Sequence, residues 1–182
     1  MSTVVCPDQP VWRAMKVKSR HEKLVAQSLR GRGLEEFLPL HVSKRQWSDR
    51  SKVLEMPLFP GYVFCRVPYT HRLLAVSTPG VTSIVGFAGE DAAVPEEEIQ
   101  SIRQMLASGV PLQPWSYART GHIVEIQAGP LAGLRGEVVR EKGLWRLVVN
   151  VALLQRSVAA ELGREMVQVV GNRPEVLAGA VA

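Results

Sequence analysis

Apolar and polar side chains alternate from Trp12 to Val17, which predicts a strand carrying Trp12, Ala14 and Lys16 on one face and Met15 and Val17 on the other. Ser19-Arg20-His21-Glu22 has the spacing of a capping box. Leu24, Val25 and Leu29 then give the apolar stripe of a helix from about Arg20 to Arg30, ended by Gly31 and Gly33. Phe37 to Trp47 reads as a second strand interrupted by Pro39. A polar turn, Ser48-Asp49-Arg50-Ser51, returns the chain through Lys52 to Met56, so this region predicts a basic hairpin with an aromatic near its tip. Thr70 is placed to cap a short helix through Val76, and Thr78-Pro79-Gly80 closes it. Val81 to Phe87 predicts another strand. Pro95 opens a helix whose Glu96, Glu97 and Glu98 complement its positive end and whose stripe is Ile99, Ile102 and Leu106.

The most informative stretch is Pro57-Leu58-Phe59-Pro60-Gly61-Tyr62-Val63-Phe64-Cys65. A proline-glycine corner feeds a strand with Tyr62 and Phe64 on one face and Val63 and Cys65 on the other. Both faces are apolar. Alternation of helices and strands around it argues for an α+β sandwich, with helices on one sheet face and the other face open. Tyr62 and Phe64 then belong to the open face.

Gly109 to Trp115 contains two prolines and no usable period, and reads as a linker. Beyond it the pattern changes. Short strands are expected at His122–Ile126, Glu137–Arg140, Trp145–Val151, Ser157–Leu162 and Met166–Val170, which suggests a small barrel. The expected organisation is a disordered start (1–10), an amino-terminal domain (11–108), a linker (109–118), a carboxy-terminal domain (119–170) and a disordered tail (171–182).

Charge adds a direction. The 182-residue chain has a net charge of +5, and half of its 22 Lys and Arg lie between Arg13 and Lys52 against four acids there. Such a basic flank is compatible with a polyanion. Cys6 and Cys65 form no C-x-x-C pair, and the four histidines (His21, His41, His71, His122) lack metal-ligand spacing, so no metal and no cofactor are expected. No paired acid and base, activated cysteine or phosphate loop is visible, so no catalytic residue is expected. With no secretory signal and no apolar run long enough to span a bilayer, the expectation is a cytoplasmic, non-membrane monomer.

Residues Trp12 to Leu106 resemble the amino-terminal (NGN) domain of NusG-like transcription elongation factors. The hallmark is Pro57 to Phe64, supported by Trp12, Glu22, Thr78-Pro79-Gly80-Val81, Val85-Gly86-Phe87 and Pro95. Thr120 to Val170 is similar to a KOW domain, with Gly121, Val124, Gly129-Pro130-Leu131-Ala132-Gly133 and Gly136 at the expected offsets. The resemblance implies an antiparallel four-stranded sheet flanked by helices, followed by a small SH3-like β-barrel. It implies a non-enzymatic regulator that binds the clamp helices of the largest RNA polymerase subunit, reaches the second-largest subunit, contacts upstream or non-template DNA and suppresses pausing.

By this resemblance Tyr62 and Phe64 face the clamp, Phe59 and Pro60 shape the depression, Trp12 lines or supports it, and His71 and Arg72 stand where relatives touch the opposite subunit. Lys16, Lys18, Arg20, Lys44 and Arg45 are the DNA-contact candidates. Gly129, Pro130, Gly133 and Gly136 form the KOW structural turn.

Two departures bear on which member this is. Leu131 follows Gly129-Pro130 where general factors carry phenylalanine, and Leu153-Leu154-Gln155-Arg156-Ser157-Val158 replaces a Phe-Gly-Arg-x-Thr-Pro stretch. In the general factor that loop helps bind a ribosomal protein or the termination factor Rho. The altered loop looks like a specialised paralogue of the RfaH and capsule-locus antiterminator kind, acting on selected operons. The alternative is the general housekeeping factor, coupling transcription to the ribosome or Rho. Leu154, Val158 and Leu162 also have helical spacing, compatible with the helical KOW hairpin of RfaH, whereas Trp145 to Val151 has strand character and argues against it.

Overall fold

The computed structural model describes residues 9–47, 50–117, 122–141, 144–162 and 167–172. The chain opens with β1 (Val11–Val17), α1 (Glu22–Gly31) and β2 (Glu35–Phe37). A long hairpin, β3 (Leu40–Trp47) and β4 (Arg50–Pro57), precedes β5 (Tyr62–Val67). A 3-10 turn at Tyr69–His71 runs into α2 (Arg72–Val76). Then come β6 (Val81–Ile84), the tight hairpin of β7 (Gly86–Phe87) and β8 (Glu90–Asp91), and α3 (Glu96–Ala107). Strands β2, β5, β1 and β6 form a four-stranded antiparallel sheet in that order.

Proline explains the break in the expected second strand. Pro39 offers no N–H and pushes Leu38 away from regular pairing, so β2 stays in the main sheet while β3 leaves to pair with β4. The Pro39 carbonyl accepts the Leu58 N–H at 2.9 Å, which fixes the base of the hairpin.

Each sheet face has its own core. Met15, Val17, Val63, Cys65 and Val67 pack with Val25, Ala26 and Leu29 of α1 and Ala75 of α2. Leu24, expected on the α1 stripe, is exposed. The opposite face carries Trp12, Ala14 and Phe64, as the alternation predicts, but it is not open. Val94 pairs with Trp12 and takes the chain across, and α3 then lays Ile99, Ile102 and Met105 onto that face. The expectation of helices on one side only is therefore corrected. Helix α3 has its own apolar stripe and needs a sheet face to bury it.

Residues expected to be linker form a strand instead. Strand β9 (Leu112–Ser116) pairs with the last long strand of the carboxy-terminal half, with Pro114 opposite Val158. An edge strand tolerates Pro114 because the missing N–H has no second neighbour to serve. Strands β10 (His122–Ile126), β11 (Arg135–Glu141), β12 (Leu144–Val151), β13 (Arg156–Leu162) and β14 (Val167–Asn172) follow. With β9 they give a six-stranded antiparallel sheet in the order β14-β10-β11-β12-β13-β9, where five strands were expected. Val124, Ile126, Val138, Leu147, Val149, Val151 and Val158 fill its core. The helical spacing of Leu154, Val158 and Leu162 is not used: Ala152–Leu154 makes one 3-10 turn and Val158 and Leu162 lie in β13. The expected tail begins inside β14 at Gly171, and 173–182, like the start at 1–8, lies outside the described residues.

Gly129 and Gly133 take positive φ in the turn after β10, while Leu131 and Leu134 tuck beneath it. At Gly136 the reason for glycine is space. A Cβ there would stand 2.8 Å from the Val148 carbonyl and 2.8 Å from Leu147 Cδ1. Pro130 is exposed at the turn's outer edge.

Candidate partner-binding face

The corner before β5 is tied at three points. Gly61 has φ +85°, a conformation costly for other residues. Its N–H donates to Glu22 Oε1 at 2.9 Å, its carbonyl accepts the Val17 N–H at 2.9 Å, and the Tyr62 N–H donates to the Phe59 carbonyl at 3.1 Å. Glu22 is thus not the second half of a capping box. No side chain caps α1, and the buried Glu22 carboxylate holds Gly61 instead. Sequence spacing suggested a local partner; the fold supplied one 39 residues away.

Register places Trp12 beside Arg66, Ala14 beside Phe64 and Lys16 beside Tyr62 on one face. The six residues differ in access. Trp12 and Phe59 are 1% exposed and Phe64 is wholly buried. Phe64 meets Phe59 edge-on at 5.4 Å and Phe37 at 6.2 Å. Arg103 of α3 lies 5.0 Å above the Trp12 ring and 5.1 Å from Phe37, held by Glu35 at 3.1 Å. Trp12 therefore supports the face from beneath and does not line it. The accessible part is Pro60, Tyr62 and the exposed Lys16.

A side chain from the other half of the molecule occupies that part. Arg156, the first residue of β13, puts its guanidinium 5.1 Å from the Tyr62 ring centroid and donates from Nη1 to the Pro60 carbonyl at 3.0 Å. Two further polar contacts join the halves: Gln104 Nε2 donates to the Ala132 carbonyl at 2.9 Å, and the Ala152 N–H donates to Glu98 Oε1 at 3.3 Å. Leu106, Val110 and Leu153 pack against the core that both halves share. Arg156 and Glu98 are the residues sequence reasoning missed. Arg156 was visible only as part of a departure from a familiar stretch, with nothing to say where it would land.

The remaining candidates fall into separate groups. Lys16, Lys18 and Arg20 are all exposed where β1 leaves the sheet. Lys44 and Arg45 lie in β3 opposite Val53 and Lys52, and their side chains lie outside the described residues. His71 is exposed, but Arg72 is engaged: its Nε and Nη2 fork onto Asp91 at 2.6 and 3.0 Å. That hydrogen bond raises the Arg72 pKa, and Asp91 also stands 3.4 Å from Arg13. Arg72 thus pins α2 to the β8 hairpin, in a setting where Tyr69, Leu73 and Phe87 are exposed.

The chemistry available is that of contact. Among the described residues no group of His, Cys, Asp or Glu is arranged to hold a metal ion. Burial, with Glu36 and Glu35 nearby, pushes the Cys65 thiol up to about 12, which leaves it unreactive at neutral pH. No helix among the described residues is long and apolar enough to cross a membrane.

Together these features define an α+β module whose surface corner meets a β-rich module through polar contacts and a shared apolar core. The family profile described as "Transcription termination factor nusG" matches residues 10–103, more than half of the chain. The chain belongs to the NusG family of transcription factors. It is 25% identical over 169 residues to the "Transcription termination/antitermination protein NusG" of Helicobacter pylori (strain J99), covering 83% of this chain and 93% of that one. To the protein of the same name in Rickettsia bellii it is 32% identical over 126 residues, 66% and 64% of the two chains. A solved structure described as "Domain interaction in Thermotoga maritima NusG" aligns with TM-score 0.49 and 19% identity, over 89% of this chain and 98% of that one.

Proposed function

We propose that this protein is an elongation and antitermination factor that docks on the clamp helices of RNA polymerase through the Pro60–Tyr62 corner. Docking there suppresses pausing or termination. The observation that carries this reading is the construction of the corner itself. The stretch Pro57 to Phe64 lies inside the family-matched region, and it is bolted at Gly61 to both β1 and α1. A rigid corner with a half-buried aromatic beside an exposed lysine suits a protein groove, since aromatic anchors give contact area at little entropic cost.

Phe64, Phe59 and Trp12 act through packing in this scheme, and Tyr62 and Pro60 make the contact. Lys16, Lys18 and Arg20, one edge away, suit the backbone of upstream or non-template DNA, joined by Lys44 and Arg45 on the hairpin. The second-largest subunit would be met near His71, with Arg72 holding α2 in place. The work is cytoplasmic. The unusual turn at Leu153 to Val158 favours action on selected operons. The names of the Helicobacter and Rickettsia relatives favour the general factor, in which that turn would serve the ribosome or Rho.

Capture of bacterial core RNA polymerase on the immobilised full chain tests the docking. Tyr62→Ala should weaken capture at least tenfold with an unchanged circular-dichroism spectrum. Capture equal to that of the unaltered chain would remove Tyr62 from the site.

A further inference from the structure

The cations of the amino-terminal half divide by the company they keep. Arg13, Lys23, Arg30, Arg66, Arg72 and Arg103 each make an ion pair, and Arg32 donates to the Leu74 carbonyl at 3.0 Å. Lys16, Lys18 and Arg20 are exposed and have no side-chain partner among the described residues. Their nearest acid in sequence, Glu22, is buried and committed to the Gly61 N–H. Building on the DNA role of this edge, we propose that the chain stores backbone strain at Arg20 to aim an unpaired row of cations at the phosphates of duplex DNA, with Thr82 as the residue that positions the row.

The strain is local and visible. Lys18 to His21 is a tight turn, closed by the His21 N–H donating to the Lys18 carbonyl at 3.1 Å. Arg20 takes the third position of that turn with φ +65°, a place that favours glycine or asparagine because a Cβ there crowds the backbone. The exposed Arg20 side chain packs on nothing that would repay the cost. Strain that the fold does not use points to a contact made outside the chain.

Thr82 fixes the direction of the row. The pairing of β1 with β6 slips by one residue between Lys16 and Val17, which makes Thr82 the extra residue of a bulge. Bulges bend a strand and re-aim its side chains. Thr82 Oγ1 donates to the Lys16 carbonyl at 2.8 Å, and the Lys18 N–H donates to the Gly80 carbonyl at 2.9 Å. On the opposite flank the Gly61 carbonyl accepts the Val17 N–H. The row is therefore anchored from both sides. It carries no Phe, Tyr or Trp on which bases could stack, and Tyr62 beside Lys16 is occupied by Arg156. Cations without a stacking platform suit the backbone of a duplex better than a single strand.

Anisotropy of a labelled duplex of arbitrary sequence, titrated with the full chain across a salt series and set beside thermal unfolding, tests this. Lys16→Ala, Lys18→Ala and Arg20→Gly should each weaken binding severalfold and reduce the salt slope by about 0.9. Arg20→Gly should also raise the melting temperature by about 2–4 °C. Arg20→Ala keeps the strained backbone and should lose the same affinity without that gain. Thr82→Val removes no charge and should weaken binding about threefold, and Thr82→Ser should restore it. Three results would each overturn the proposal: Arg20→Gly melting no higher or binding no more weakly than the unaltered chain, Thr82→Val binding like the unaltered chain, or a single-stranded RNA of equal length binding more tightly than the duplex. Polymerase is absent from these titrations, so their failure leaves docking at Tyr62 untouched. Conversely, polymerase capture that ignores Tyr62→Ala would leave the cation row standing.

Discussion

The guanidinium of Arg156 lies 5.1 Å from the ring of Tyr62, 94 residues earlier in the chain, while its Nη1 holds the Pro60 carbonyl. One side chain therefore touches both Pro60 and Tyr62. Apart from the exposed Lys16, the rest of that face is covered by α3 and by its own aromatics, so the two halves of the candidate site differ in kind. Tyr62 is half-buried beneath Arg156. Phe64 is core.

That difference is measurable in stability. Phe64→Ala removes a wholly buried ring packed on Phe59 and Phe37 and should cost about 3–5 kcal/mol. Tyr62→Ala, at a half-buried site, should cost less than about 1.5 kcal/mol. Urea titrations of the two variants check the contrast, and equal losses would contradict it.

Glu22 supports the corner through the Gly61 N–H. Glu22→Ala leaves that part-buried donor without its acceptor and should cost about 1–3 kcal/mol, whereas Glu22→Gln keeps an acceptor and should recover most of it. Thermal unfolding of the pair, with the Gly61 amide shift as a local reporter, checks this.

Gly136 and Gly61 are glycines for different reasons, and alanine should separate them. At Gly136 the added methyl meets the Val148 carbonyl and should cost about 1–3 kcal/mol by overpacking. At Gly61 nothing lies within 4 Å of a built Cβ, so the cost is the backbone strain of φ +85°, about 1–2 kcal/mol. Adding Val148→Ala would not relieve Gly136→Ala, because the obstacle is a carbonyl; Leu147→Ala should relieve it in part.

The contribution of Glu98 to stability should depend on acid. Burial raises the Glu98 carboxyl above its ordinary 4.5, the Ala152 N–H opposes the rise, and Glu97 adds to it. Because the value is raised in the folded chain, this contribution to stability is fully present below about pH 4.5 and is lost as pH climbs through the raised value. Glu97, Arg135 and Glu137 face the same groove and shape the curve. Thermal stability followed against pH should therefore fall as pH rises through that range, and Glu98→Gln should flatten the fall.

Much of this was legible in the chain. Alternation along β1 and β5 gave the correct faces for Trp12, Met15, Val63 and Phe64, because a strand's period of two is set by the backbone alone. Pro39 and Pro60-Gly61 marked real breaks for the same local reason. What the pattern left out was tertiary. Ile99 and Ile102 announced a buried stripe but not which sheet face would receive it, and Pro114 hid a strand that only an edge position allows. Glu22 and Arg156 act on partners 39 and 94 residues away, beyond the reach of spacing rules.

Equilibrium binding of bacterial core RNA polymerase to three forms of the full chain bears most directly on the central claim. Removing the cover with Arg156→Ala should tighten binding relative to the unaltered chain. Tyr62→Ala also removes the cover's partner, yet it should bind at least tenfold more weakly than the unaltered chain, because the contact itself is gone. Binding by Tyr62→Ala that matches or exceeds that of Arg156→Ala would show that the polymerase docks elsewhere.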